Sequence, residues 1–126
     1  MDKDALFALV KRGDAGALER ALAEGGDARA RDRFGVSLLY RAALRGDLAC
    51  LELLLTAGAE VDRSSDAGNT PLMAAAGRGH LAVVERLIAA GAAAGHRNKW
   101  GYDAARWAAW APNDDEIKAR LFAAAG

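Results

Sequence analysis

The sequence is poor in the residues that build disulfides and metal sites, because its 126 residues include one cysteine and two histidines. A single thiol cannot form an internal disulfide, so nothing points to an oxidising compartment. These three side chains also fall short of a four-ligand zinc site. Enzyme motifs such as a Gly-Lys-Ser/Thr loop, a nucleophile elbow or a Ser-His-Asp order are missing as well. We therefore expect no metal, no cofactor and no enzymatic activity.

Long apolar runs and an excess of either charge are also missing. No stretch approaches the ~18 apolar residues that a membrane helix needs, and the beginning of the chain lacks the pattern of a signal peptide. Lys and Arg number 17 and Asp and Glu number 17, which gives a formal net charge of 0. Proteins that mainly hold nucleic acid or acidic lipid need excess positive charge. We expect a soluble, cytoplasmic protein that binds neither nucleic acid nor membranes.

What the sequence does contain is typical of a folded domain. Hydrophobic residues make up 52% and charged residues 27% of the chain, a balance that disordered proteins do not have. The length fits one domain over residues 1–126. Alanine and arginine are abundant, and since this correlates with GC-rich genomes, we expect a bacterial source.

The chain repeats with a period of 33 residues. The segment 68–81 matches the segment 35–48 in its order of turn, apolar and glycine residues. Residues that commonly cap a helix N-terminus recur at the same spacing, namely Asp4, Ser37, Thr70 and Asp103. A glycine that permits a left-handed conformation, or in the last unit a proline, is then expected to end each short helix; these residues are Gly13, Gly46, Gly79 and Pro112.

A second, longer helix follows in each unit. Its apolar residues recur at i and i+4, which places them on one helix face; the pairs are Leu18 and Leu22, Leu51 and Leu55, Val84 and Ile88, and Ile117 and Leu121. In the first three units this helix is expected to end at Gly25, Gly58 and Gly91. Each unit is thus predicted to be a short helix, a tight turn, a longer helix and an extended loop.

The third unit carries Thr70-Pro71-Leu72-Met73-Ala74-Ala75 and then Gly79-His80, and in these residues it closely resembles an ankyrin repeat. The second unit resembles it too, with Ser37-Leu38 in place of the Thr-Pro pair. The first and fourth units match only the skeleton of caps, glycines and leucines, so we interpret them as capping units. The resemblance implies an all-α solenoid of helix-turn-helix units joined by extended loops. The repeats are expected at about residues 1–31, 32–64, 65–97 and 98–126.

Several residues with chemical potential have a structural explanation. Cys50 shares a helix face with leucines and is expected to be a buried, inert thiol. The run Asp114-Asp115-Glu116 suits a helix N-terminus. His96 is either a plain loop residue or an exposed, pH-sensitive contact. The run Arg29-Ala30-Arg31-Asp32-Arg33 is either a solvated loop or a patch for an acidic partner. His80 is expected to hydrogen-bond the turn between helices, as are its counterparts Asp14, Asp47 and Asn113.

Five of the eight aromatic residues lie in the last unit. Trp100 and Tyr102 belong to the extended loop, which in the ankyrin family projects as a finger and commonly touches partners. Trp107 and Trp110 are three residues apart and share a face of the short helix. Because tryptophan and tyrosine are enriched in interface hot spots, these residues predict a binding surface. The alternative is that the indoles seal the end of the solenoid.

Arginine recurs at one position of the repeat, as Arg12, Arg45 and Arg78. By analogy with the ankyrin family, these residues would form a ladder on the concave side, with steps of about 10 Å. Such a ladder is either a row of solvated side chains or an array of forked donors for a partner's carboxylates.

Together these features predict a non-catalytic protein–protein interaction module that binds a partner protein through its concave face and loop tips. The residues expected to contact the partner are Arg33, Phe34, Val36, Leu44, Arg45, Asp66, Asn69, Arg78, Lys99, Trp100, Tyr102 and Trp110. The alternative function is a dedicated inhibitor, such as an immunity protein or antitoxin that blocks a cognate enzyme. We expect a monomer, with self-association through the tryptophan-rich C-terminal end as the alternative.

Overall fold

A computed structural model of the chain describes residues 2–125. Within this range the backbone forms eight helices in four successive pairs. The first helices of the pairs are α1 (Lys3–Arg12), α3 (Leu38–Arg45), α5 (Pro71–Gly77) and α7 (Ala104–Ala108). The second helices are α2 (Ala15–Ala23), α4 (Leu48–Thr56), α6 (Leu81–Ala89) and α8 (Asp114–Ala125).

The helices stack in two layers. Each first helix packs against the first helix of the next pair, from α1 through α3 and α5 to α7. The second helices do the same from α2 to α8, and contacts within each pair join the two layers. One continuous cluster of buried apolar side chains runs between the layers from Leu6 to Leu121. This stacking of like units confirms the predicted all-α solenoid.

Side-chain caps set the beginnings of the first helices. Ser37, Thr70 and Asp103 each accept a hydrogen bond from the backbone N–H three residues further on, which confirms them as caps. The prediction of Asp4 as a cap is wrong. Helix α1 begins at Lys3, because Asp2 is itself a good cap and accepts from the N–H of Ala5 at 2.9 Å. Asp4 lies in the first turn, where its charge favours the helix dipole.

Glycines end the first three short helices as predicted. Gly13, Gly46 and Gly79 have φ values of 70°, 70° and 74°, in the left-handed region. The fourth short helix differs, since α7 ends at Ala108, four residues before Pro112. Proline has no N–H to donate to the carbonyl of Ala108 and disfavours a helical conformation in the residue before it. The chain therefore leaves the helix early, through tight turns over residues 109–113.

Of each apolar pair predicted to be buried on the second helices, the first residue is buried in all four units, but the second is buried only in the last unit. Leu18, Leu51, Val84 and Ile117 are fully buried. In the first three units, however, the residue three positions later is buried rather than the residue four positions later. Ala21, Leu54 and Leu87 lie in the core, whereas Leu22, Leu55 and Ile88 are half-buried. Each of these three helices packs on the first helix of its own pair and on at least one neighbouring second helix, and Ala21, Leu54 and Leu87 belong to the continuous apolar core.

The last helix turns a different face to the core. In α8 the buried pair is Ile117 and Leu121, as predicted, and Arg120 is exposed where the third unit buries Leu87. Glu116 is likewise exposed where the third unit buries Val83. Charged residues at these two positions give the end of the stack the polar outer face that a capping unit needs.

Candidate functional site

Three fingers, the loops of residues 32–36, 65–69 and 98–102, are each closed by a hydrogen-bonded turn. In the first finger the N–H of Asp32 donates to the carbonyl of Val36 at 2.9 Å, and the N–H of Gly35 donates back to the carbonyl of Asp32 at 3.0 Å. The same two bonds recur, 33 residues apart, in the other two fingers. The fingers are therefore folded loops of one design.

A polar side chain at the first position of each finger holds the turn from inside. The carboxylate of Asp32 accepts from the backbone N–H groups of Phe34 and Val36 at 2.8 and 3.0 Å. Asn98 does the same for Trp100 and Tyr102, both at 3.0 Å. In the second finger the hydroxyl of Ser65 accepts from one N–H, that of Asn69.

Neighbouring fingers are bonded to one another. The N–H of Asp66 donates to the carbonyl of Phe34 at 3.1 Å, and the N–H of Lys99 donates to the carbonyl of Ala67 at 2.9 Å. In addition, the side-chain amide of Asn98 donates to the side-chain oxygen of Asn69 at 2.9 Å. The three tips consequently form a single row whose order is fixed by hydrogen bonds before anything binds.

The outer fingers of the row carry aromatic residues paired with cations. Phe34 is 57% exposed and lies 4.9 Å from the guanidinium of Arg33, and Trp100 is 60% exposed and lies 5.6 Å from the ammonium of Lys99. The exposed ring of Tyr102 has the guanidinium of Arg106 at 5.1 Å. Such cation–π contacts restrict the rings while leaving their other faces open to solvent.

The middle finger presents a different chemistry, because its tip holds Asp66 and Ala67 where its neighbours hold a cation and an aromatic ring. Asp66 is exposed and packs against the backbone of Gly35 in the first finger. Along the row the tips thus alternate from cation and ring, to carboxylate and methyl, and back to cation and ring.

One ion pair joins the first finger to the helix behind it. The guanidinium of Arg41 on α3 lies 3.2 Å from the carboxylate of Asp32. Burial alone would raise the pKa of Asp32, but the hydrogen bonds from Phe34 and Val36 and the charge of Arg41 outweigh it. The pKa of this carboxyl therefore lies below its ordinary value. Asp32 stays ionised and braces the finger at neutral pH.

The exposed side of the first-helix layer, here called the first-helix face, lies beside the fingers. An open groove of about 580 Å³ runs between α1 and α3, with Phe7, Ala8 and Leu44 as its apolar part. The charged residues of the groove are Asp4, Lys11, Asp32, Arg41 and Arg45. Arg12, Arg45 and Arg78 are all exposed along this face, and Leu44 is half-buried.

The two indoles near α7 have different roles. Trp107 is half-buried and packs on Gly77, whose added Cβ would lie 3.1 Å from the ring. Trp110 is 66% exposed and meets Trp107 edge to face at a centroid distance of 5.9 Å. Trp107 therefore packs against the third repeat, whereas Trp110, like Trp100, is exposed to solvent.

The twelve residues predicted to contact the partner lie in two parts of the structure and differ in exposure. Eight belong to the fingers, namely Arg33, Phe34, Val36, Asp66, Asn69, Lys99, Trp100 and Tyr102, and four belong to the first-helix face, namely Leu44, Arg45, Arg78 and Trp110. Val36 and Leu44 are half-buried, and the side chain of Asn69 is occupied by Asn98. The remaining nine are exposed.

The residues with chemical potential have structural surroundings. Cys50 is buried in the core, and burial, followed by its hydrogen bond and charge interaction with Asp47, raises the pKa of its thiol to about 12. The prediction that this thiol is buried is confirmed, and its inertness stays a prediction. Helix α8 does begin at Asp114, which confirms the acidic run as its first turn. His96 is half-buried in its loop.

The side chains at the turn between helices bond as expected, although in two ways. Asp14 and Asp47 cap their own second helices. The side chains of His80 and Asn113 instead reach the preceding repeat, at the carbonyls of Leu44 and Gly79.

Over residues 2–125, no group of three or more His, Cys, Asp or Glu side chains is arranged to hold a metal ion. No helix in that part of the chain is both long and apolar enough to cross a membrane. The site is thus a surface of rings, cations and a few carboxylates.

Sequence reasoning missed the residues that hold the fingers in place. Asp32, Ser65 and Asn98 are spaced by 33 residues and are of the types that bond their own loop backbone. That spacing was a usable signal. The sequence carries no such signal for the hydrogen bonds between neighbouring fingers. These bonds join backbone groups and depend on how far one repeat is rotated against the next.

The comparisons with known proteins agree with this architecture. A family model described as ankyrin repeats (3 copies) matches residues 6–98 and, in a second, overlapping alignment, residues 39–123. No curated protein matches the chain. The matched residues span all four helix pairs, and the chain belongs to the ankyrin repeat family.

Proposed function

We propose that the protein is a non-catalytic module that binds a partner protein with its three fingers and its first-helix face. Ankyrin repeats are generally protein–protein interaction modules. The observation that carries the proposal for this chain is where its exposed apolar residues lie. Of the six large hydrophobic side chains exposed in residues 2–125, four are on this side of the molecule, namely Phe34, Trp100, Tyr102 and Trp110.

The mechanism is docking onto a surface that is already ordered. Because hydrogen bonds fix each finger internally and to its neighbour, little conformational entropy is lost when a partner binds. Exposed tryptophan and tyrosine then supply contact area with few rotatable bonds, which is why such residues dominate interface hot spots. We place this activity in the cytoplasm and assign it to a monomer from a bacterial source.

The proposal is tested by affinity capture from the native lysate with the wild-type chain and with the double variant Trp100→Ala/Trp110→Ala. The variant should lose the partner, and far-UV circular dichroism should stay unchanged. Phe122→Ala is the matched control, because Phe122 is 65% exposed but lies on the second-helix layer. A double variant that retains the partner would remove these two residues from the interface.

Once a partner is captured, Trp100→Ala alone should weaken its binding by about 2 kcal/mol or more, as for other central aromatic anchors. If the partner is an enzyme, its activity should be measured with and without the ankyrin chain. Loss of activity on binding would identify a dedicated inhibitor, such as an immunity protein or antitoxin, and unchanged activity would identify an adaptor.

A further inference from the structure

We propose that the partner presents an acidic segment whose carboxylates recur about every 10 Å, and that Arg12, Arg45 and Arg78 receive them. This inference rests on the proposed function, since it specifies the partner of the same face. It concerns the chemistry of the partner segment, which the family alone leaves open.

The three arginines form a regular row. Each directly precedes the left-handed glycine that follows its helix, so each holds the same place in its repeat. All three are exposed. Packed helices lie about 8–10 Å apart, and the contacts from α1 to α3 and from α3 to α5 therefore space the row by about that distance at each step.

The row carries positive charge that the rest of the chain does not take up. The ion pairs of residues 2–125 include Arg29, Arg41, Arg63, Arg86 and Arg120, but none of the three arginines of the row. An exposed guanidinium without a partner offers a planar fork that fits a carboxylate with two hydrogen bonds.

Nearby carboxylates are mostly engaged elsewhere. Asp14 and Asp47 each use a side-chain oxygen to cap the helix that follows, at the N–H groups of Ala17 and Cys50. Asp47 also lies near Arg45 beside Gly13, without forming an ion pair with it. Asp32 in the groove is paired with Arg41, which leaves Asp4 as the exposed acid that lines the groove together with Lys11 and Arg45.

The groove beside the row adds a second requirement. Its apolar part consists of Phe7, Ala8 and Leu44, and Trp110 is exposed further along the same face. A purely acidic chain would leave these side chains uncovered. The segment that fits best therefore carries apolar residues between its carboxylates.

The spacing of the row restricts the conformation of such a segment. In a polyproline II helix every third residue shares a face and the repeat is about 9 Å. In an α-helix every seventh residue does so, with a repeat of about 10.5 Å. A β-strand is unsuitable, because residues three apart point to opposite faces. The partner should thus carry acids at a period of three or of seven residues.

Fluorescence anisotropy with labelled synthetic peptides of equal length tests this on the full chain. Two peptides carry three glutamates among alanines and prolines or leucines, at a period of three or of seven. A third has the composition of the first with its glutamates clustered, and a fourth has lysine in place of glutamate. One periodic peptide should bind at least about tenfold more tightly than the clustered and lysine peptides, as three surface charge pairs allow.

The triple variant Arg12→Gln/Arg45→Gln/Arg78→Gln should lose about tenfold in affinity for that peptide. Its control is Arg20→Gln/Arg97→Gln/Arg120→Gln, which removes the same charge from exposed arginines outside the row. This control should bind within about twofold of wild type, since only long-range attraction changes. Thermal unfolding of both variants verifies that they fold.

Several results would overturn the inference: no binding of either periodic peptide, equal binding of the clustered peptide, or equal losses in the two triple variants. The proposed function is judged separately by capture of the native partner. If the row variant still captures a partner that Trp100→Ala/Trp110→Ala loses, the interface stands and the acidic segment is wrong. If the native partner is retained by both variants, the interface itself is wrong.

Discussion

The imidazole of His80 lies across the backbone of Gly46, one repeat earlier in the chain. A Cβ added to Gly46 would come within 2.5 Å of Nδ1 of His80, and Nε2 of the same ring lies 3.1 Å from the carbonyl oxygen of Leu44. Asn113 also reaches the repeat before it, where its side-chain amide donates to the carbonyl of the turn glycine Gly79 at 3.0 Å. Side chains at the turn of one repeat thus form hydrogen bonds with backbone carbonyls of the repeat before it.

This contact predicts an excess cost for Gly46→Ala. Gly46 and Gly58 both have positive φ, 70° and 99°, but nothing lies within 4 Å of a Cβ at Gly58. Both alanine variants carry the left-handed strain of about 1–2 kcal/mol, and Gly46→Ala should lose about 1–3 kcal/mol more through overpacking. Urea unfolding measures both losses. Equal losses, or no relief when His80→Ala is added, would contradict the contact.

Asp32 should stabilise the first finger mainly through the hydrogen bonds that it accepts. Asp32→Ala removes the acceptor for Phe34 and Val36 and should cost about 1–2 kcal/mol of unfolding free energy. Asp32→Asn keeps an oxygen there, as Asn98 does in the third finger, and should cost less than about 1 kcal/mol by losing the charge interaction with Arg41. Chemical denaturation at neutral pH distinguishes the two, and similar losses would contradict this reasoning.

The same carboxyl predicts a pH dependence. Its folded pKa lies below the ordinary value of 3.8, so the unfolded chain binds the proton more tightly. The stabilisation is then complete above the unfolded pKa and is lost as pH falls through the folded pKa. Between about pH 5 and pH 2, wild type should therefore lose more stability than Asp32→Asn. Parallel pH profiles of the two proteins would show that Asp32 has an ordinary pKa.

Cys50 should be unreactive while the chain is folded. The thiol is fully buried and its pKa is raised to about 12, so the nucleophilic thiolate is scarce at pH 8. A thiol-reactive dye should label the native protein many times more slowly than the protein in concentrated guanidinium. Free glutathione, labelled under both conditions, corrects for solvent effects on the reagent. Labelling at the same rate in both states would place Cys50 outside the core.

Tryptophan fluorescence should separate the two exposed indoles from the half-buried one. The variant Trp100→Phe/Trp110→Phe retains only half-buried Trp107, and its emission should shift to the blue with a several-fold smaller acrylamide quenching slope. Trp107→Phe retains the two exposed indoles and should show the steep slope. Acrylamide is neutral, so Lys99 near Trp100 does not bias the comparison. Equal slopes would mean that Trp107 is as accessible as the others.

The elements of this fold were predictable where local chemistry decides them. Ser37, Thr70 and Asp103 cap helices and Gly13, Gly46 and Gly79 end them, because cap hydrogen bonds and left-handed backbone depend on the residue itself. The predictions were wrong where packing between repeats determines which residues are buried. Sequence spacing could not tell that adjacent repeats bury Leu54 and Leu87 in preference to Leu55 and Ile88, since both choices fit one helix face.

The candidate site divides in the same way. Phe34, Trp100 and Trp110 were predicted at the binding surface and are exposed. The packing of Trp107 on Gly77 could not be predicted, because it depends on how closely the fourth repeat approaches the third. Asn69 was one of the twelve residues predicted to contact the partner, but its side-chain oxygen already accepts a hydrogen bond from Asn98.

The charged residues that end the stack also determine how this array could be lengthened. A repeat appended after α8 would have to cover Glu116 and Arg120, which stand where internal repeats bury Val83 and Leu87. Desolvating both would oppose the addition. A duplicate of the third unit spliced in ahead of Asn98 meets apolar neighbours on either side instead. Growth of this protein, by evolution or by design, is therefore favoured from the middle.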